Sequence, residues 1–156
     1  MVFPFVRGEN LEGRAFTLPT DLEGAYNLLF IAFQREQQND INSWLPFAKQ
    51  LVREYPALAY YELPTIYRGH PLFRWWLNTG MRMGIPDKKA REVTITLYLD
   101  KQAFRKALDM PDEERIYVLL VNRKGEVLWR VEGPFHEERE RDLKHALESQ
   151  QVQKTS

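Results

Sequence analysis

A continuous apolar run, Leu28 to Phe33, is short enough for a strand buried on both faces. It stops abruptly in a polar patch, Gln34 to Asn39. Beyond it Ile41, Trp44, Leu45, Ala48, Leu51 and Val52 recur at the spacing of one helical face. Asp40 is the expected N-cap of this helix, Pro46 is expected to kink it, and Pro56 ends it at Tyr55. Strand, polar turn and helix make one half of a βαβ unit. In open α/β sheets ligands bind where strands end and helices begin, so the turn is the first place to look for chemistry.

Around this centre the pattern is less continuous. Residues 1–15 read as an extended entry segment, broken by Pro4, Gly8 and Gly13, and Ala15 to Leu18 as a short strand. After the helix, Ala57 to Leu63 reads as a strand closed by Pro64, and Pro71 opens a second helix through LFRWWLNTGMRMG. The loop GIPDKKARE leads to VTITLYLD, residues 93–100, where Val93, Ile95, Leu97 and Leu99 alternate with Thr94, Thr96 and Tyr98. Asp100 caps a short helix to Leu108 with Ala103, Phe104, Ala107 and Leu108 inward. IYVLLVNRKGEVLWRVEG reads as a β-hairpin with its turn at Asn122 to Gly125. The last helix runs from His136 to Ser149, with Leu143, Ala146 and Leu147 as its stripe. The chain is thus one domain over residues 1–149, with 150–156 as a disordered tail. Its order describes an α/β fold with a mixed sheet flanked by helices.

Composition narrows the function by exclusion. Lys plus Arg equals Asp plus Glu at 22 each, so no long-range field draws in a nucleic acid. There is no cysteine, hence no disulfide and no thiolate. No apolar run reaches the ~18–20 residues that span a bilayer, and the N-terminus has no secretory pattern. The expectation is a soluble protein, cytoplasmic or in a mitochondrial-type compartment, and membrane-proximal. The histidines at 70, 136 and 145 lack metal-ligand spacing, and Ser43 and Ser149 lack a nucleophile setting, so neither a metal nor any other cofactor is expected.

Three stretches carry a resemblance: LEGRAFTLPTDLEGAYNLLFIAF, the helix containing Pro46, and IYVLLVNRKGEVLWRVEGP. Their order and spacing resemble the thioredoxin-like fold in its peroxiredoxin-type version, with a closing hairpin and a C-terminal helix. The resemblance implies a redox turn holding Cys-x-x-Cys or one peroxidatic Cys, where this chain has Gln34, Arg35, Glu36, Gln37 and Gln38. It also implies a cis-proline before the hairpin, where this chain has Glu114, Arg115 and Ile116. Thiol oxidoreductase and thiol peroxidase activity are excluded, because no other side chain replaces a thiolate. A narrower likeness rests on GMRMGIPDKKAREVTITLYLDK with LLVNRKGEVLWRVEG: it resembles the mitochondrial ATP synthase assembly factor family. That likeness implies a non-catalytic, chaperone-like binding protein whose partner is a subunit of a membrane complex.

The candidate binding residues follow. Arg35, Glu36 and Gln37 line the polar turn; the bland alternative is a solvated loop. Phe73, Trp75 and Trp76 belong to a helix apolar over much of its circumference, fit to dock an apolar partner or a membrane interface, or simply packed on both sides. Arg82, Asp87 and Arg91 lie in the charged loop from Met81 to Glu92, which suits an acidic contact or solvent. No catalytic residue is assigned. Two other functions stay open: an enzyme using a non-thiol polar site in the same cleft, and a structural subunit contacting through the hairpin edge. Convergence of Arg35, Glu36 and Arg82 on one pocket would favour the enzyme.

Overall fold

Residues 1–67 and 87–155 are described in the computed structural model. The predicted helix from Pro71, with Phe73, Trp75, Trp76 and Arg82, lies outside the described residues. Among the described residues the strands are β1 Val6–Asn10, β2 Ala15–Leu18, β3 Tyr26–Ala32, β4 Leu58–Tyr67, β5 Ile95–Leu99, β6 Tyr117–Asn122 and β7 Val127–Glu132. They form one mixed sheet in the order β2-β1-β5-β4-β3-β6-β7. β3 and β4 run parallel, as do β4 and β5, while β6 pairs antiparallel with β3 and with β7.

The described helices are α1 Gln38–Glu54, α2 Lys88–Val93, α3 Lys101–Ala107 and α4 Glu137–Ser149. β3 is buried on both faces, as a continuous apolar run in a covered sheet requires. Alternate side chains carry its two cores. On the α1 face, Phe30 meets Trp44 and Tyr60 at ring separations of 5.8 and 6.4 Å. On the α3 face, Phe33 meets Phe104 and Tyr117 at 6.4 and 6.1 Å.

Several expectations are corrected. The entry segment contains a strand: β1 pairs with β2 and with β5. Gly8 permits this approach, since a Cβ there would lie 2.5 Å from the Thr96 carbonyl oxygen. Pro64 does not close β4, which runs on to Tyr67. The ladder to β3 ends at Ala32 opposite Pro64, and the ladder to β5 resumes at Thr65 opposite Leu97, so the missing N–H falls at the handover. Lys88 to Val93 is helical rather than loop, because the Asp87 side chain accepts from the Lys89 amide at 3.1 Å.

Asp40 is not the N-cap of α1. A 3₁₀ turn, Arg35–Gln37, precedes the helix, and Asp40 sits within the first turn of α1. The helix continues through Pro46, and Phe47 joins Ile41, Trp44, Ala48 and Leu51 in the core. In α3 the buried side is Phe104 and Leu108, while Ala103 and Ala107 are exposed. The hairpin and the Asp100 cap match the pattern, Asp100 accepting from the amides of Gln102 and Ala103 at 3.0 and 3.2 Å. The expected tail runs back to α1, where Thr155 donates its amide to the Glu54 carbonyl at 2.6 Å and its hydroxyl to the Arg53 carbonyl at 3.2 Å.

Candidate functional site

Phe33 to Gln38 leave the C-terminal end of β3 and enter α1, the position where an open α/β sheet places a ligand. Gln37 is buried and organises the turn. Its Oε1 accepts from the amides of Phe33 and Gln34 at 2.8 and 3.2 Å, supplying the acceptor that a helix start lacks. Its Nε2 donates to the Glu113 carbonyl at 2.7 Å, and Gln34 Nε2 donates to the same oxygen at 2.9 Å. Two glutamines one helical turn apart thus staple the turn to the segment that precedes β6.

The Glu113 side chain is held from the other side. Lys101 Nζ lies 3.2 Å from its Oε1 and Arg105 Nε 3.3 Å from its Oε2. Lys101 also reaches the Phe33 carbonyl at 3.4 Å, while Arg105 Nη1 donates to the Pro111 carbonyl at 3.1 Å. The head of α1 is therefore closed by amides, a carboxylate and two cations. A nucleophile or a general acid–base pair is absent from these contacts.

Beneath the turn, Gln38 donates to the Glu62 carboxylate at 2.8 Å. Glu62 is 5% exposed on β4, on the α1 face, and its ladder neighbour Thr94 is fully buried. Burial raises its pKa above the ordinary carboxylate range; the Gln38 bond and the Lys49 charge oppose the shift only in part. A carboxyl whose folded pKa is raised favours the folded state while it is protonated. That stabilisation is complete below the unfolded pKa and is lost as pH rises through the folded pKa. Glu62→Gln is accordingly expected to raise the thermal midpoint by about 2–4 °C near pH 8 for a chain of this length. Near pH 4 it should change little, and differential scanning fluorimetry across pH checks the slope. An equal shift at both pH values would mean that the charge of Glu62 is not the cause.

Of the sequence-predicted residues, Arg35, Glu36 and Gln37 stand together at the head of α1, the first two exposed. Asp87 and Arg91 lie elsewhere, around α2, where Arg91 Nε pairs with Glu12 at 2.8 Å. The neighbouring Lys89, Glu92 and Val93 line a cavity of about 310 Å³ with Val52 and Leu58, at the far end of α1. The two groups do not share one site, although Thr94, just after α2, bridges Glu62 and so approaches Gln38 at the head of α1. Sequence reasoning missed Glu62, Lys101, Arg105 and Glu113. A lone carboxylate inside the apolar run LAYYELP was a signal for Glu62, whereas the union of Glu113 with Lys101 and Arg105 is tertiary and leaves no local mark.

No protein-family model and no curated protein sequence matches this chain. Solved structures do. A thiol:disulfide interchange protein from Bacteroides sp. superposes with a TM-score of 0.61 at 18% identity, covering 95% of this chain and 86% of that one. The pneumococcal exposed lipoprotein thioredoxin from Streptococcus pneumoniae gives 0.55 at 13%, covering 93% and 99%. StoA from Bacillus subtilis gives 0.52 at 14%, covering 93% and 97%. At such identities the likeness speaks for architecture alone. The chain has the thioredoxin-like fold, a mixed α/β sheet flanked by helices, and it has no cysteine.

Proposed function

We propose that this chain is a non-catalytic thioredoxin-like binding module of the assembly-factor kind, chaperone-like, whose partner is a subunit of a membrane complex such as the ATP synthase. The observation that carries the non-catalytic part is the staple: both Gln34 and Gln37 amides are committed to the Glu113 carbonyl, and no thiol is present. A site whose polar groups are consumed internally holds a shape and leaves little to act on a substrate. The sequence likeness of residues 80–101 to assembly factors supports the partner class, and the aromatic segment around Phe73, Trp75 and Trp76 supplies an apolar contact. The proposed contact with such a complex is a peripheral one; among the described residues no helix is long and apolar enough to cross a membrane.

The test is capture from detergent-solubilised membranes and from the soluble fraction of the native host, with Trp75→Ala/Trp76→Ala as control. The expected result is recovery of a membrane-complex subunit that the double variant loses at least tenfold, about the loss that removing two aromatic anchors causes. Equal recovery by both proteins, or none by either, would overturn the reading and return attention to a small-molecule screen at Arg35 and Glu36.

A further inference from the structure

We propose that Lys101 and Arg105 form a carboxylate receptor in which Glu113 is a built-in occupant. The segment Pro111–Arg115 is then a displaceable latch over the head of α1, released by an acidic side chain of a protein partner. The inference rests on the binding-module reading and names the chemistry of its ligand.

The receptor is built on a regular element. Lys101 and Arg105 are one turn apart on α3, so both cations project along the same side of the helix. Their side chains are mostly buried, and they meet Glu113 at 3.2 and 3.3 Å. The fit is incomplete. Arg105 Nε is a buried donor without hydrogen-bond geometry to any acceptor, although the Glu113 carboxylate lies beside it. Arginine binds carboxylates best through two parallel N–H bonds, whereas here the Nε lies 3.3 Å from Glu113 Oε2 without a formed bond and Nη1 is turned to the Pro111 carbonyl. A carboxylate free of the backbone constraint can adopt the paired geometry and satisfy the stranded donor.

Asp112 and Glu114 flank Glu113, so the latch is itself an acidic stretch of three of which the receptor engages one. Asp112 Oδ1 accepts from the Glu114 amide at 3.0 Å, and its backbone carbonyl accepts from the Tyr117 hydroxyl at 2.9 Å; those bonds fasten the base of the latch rather than its tip. The tip is secured by Gln34, Gln37, Lys101 and Arg105. Withdrawal of Glu113 would therefore free both glutamine amides together with the two cations. A partner presenting an acidic stretch like Asp112–Glu114 meets two amides where the Glu113 carbonyl sits and two cations where its carboxylate sits.

The experiment titrates isotope-labelled full-length protein with N-acetyl-glutamic acid α-amide, which carries one side-chain carboxylate, and follows backbone amide shifts. Three proteins are compared: wild type, Glu113→Gln, and Glu113→Gln/Arg105→Gln. The glutamine at 113 keeps the backbone carbonyl that Gln34 and Gln37 use, so the fold is retained while the competing charge is gone. The expected result is a saturable shift at Gln34, Gln37, Lys101 and Arg105 in Glu113→Gln, at a ligand concentration about tenfold below that for wild type, because the intramolecular competitor is removed. The double variant should lose it. Equal titration of wild type and Glu113→Gln overturns the proposal, as does retention of binding without Arg105. A Glu113→Gln protein that is unfolded by circular dichroism overturns it too, since Glu113 would then hold the fold and could not be a latch. A flat titration with successful membrane-subunit capture removes the latch and leaves the binding module; a clear titration with empty capture does the reverse.

Discussion

Trp44→Ala is expected to lower the unfolding free energy by about 3–5 kcal/mol, the largest single loss in the described core. Trp44 is fully buried, and its ring stacks on Phe135 at 5.3 Å and meets Trp129 edge-on at 6.4 Å. Its indole Nε1 also donates to the Gly133 carbonyl at 3.0 Å, pinning the segment that leads into α4. Alanine would leave a cavity between α1 and β7 and a buried carbonyl without its donor. Trp44→Phe keeps much of the ring contact but orphans Gly133, so its loss should be smaller by more than half. Guanidinium unfolding of the three proteins, compared at equal m-value, checks the ranking. If phenylalanine costs as much as alanine, the hydrogen bond and not the packing dominates.

The second large effect is at the site itself. Gln37→Ala removes three hydrogen bonds and leaves the Phe33 and Gln34 amides, in the turn that leads into α1, without their acceptor, an expected loss of about 2–4 kcal/mol. Gln37→Glu separates the parts. It retains the acceptor for the two amides but places a carboxylate where a donor faced the Glu113 carbonyl. It should be as destabilising as alanine near neutral pH and recover in part when acidified, because the protonated carboxyl can donate again. A Gln37→Glu protein as stable as wild type at neutral pH would show that the bond to Glu113 contributes nothing.

The sequence carried the central strand, α1, the hairpin and α4 because each is a regular alternation or a helical stripe with its own punctuation. The Asp100 cap was legible for the same reason: a carboxylate one residue before a helix acts on amides two and three positions away. β1 was not legible. One of its two partners, β5, is distant in sequence, and Gly8 argues locally against a strand while permitting the close strand pairing that makes one. Pro64 misled similarly, since a missing donor ends a strand unless it falls between two ladders. At the site, the loss of the thiols could be read directly from Gln34 and Gln37. What those glutamines do could not, because their common acceptor is the carbonyl of Glu113, and a backbone oxygen has no sequence signature.

The handover at Pro64 divides the stability of the sheet. Seven residue pairs bind β4 to β3, whereas the regular ladder from β4 to β5 has three; β1 and β2 lie beyond β5, but the residues before β1 return to the closing hairpin, where Phe3 donates its amide to the Gly125 carbonyl at 2.7 Å and Val127 donates to the Met1 carbonyl at 2.9 Å. The unit β3-β6-β7 with α1 therefore contains the aromatic core and the continuous ladders, and its opening approaches global unfolding. The β2-β1-β5 side is thus held at two places, by the short seam to β4 and by the first residues of the chain at the hairpin. Opening it requires both to break. Because α3 follows β5 directly and carries the Lys101 and Arg105 contacts to Glu113, the head of α1 is tied to that side of the sheet as well.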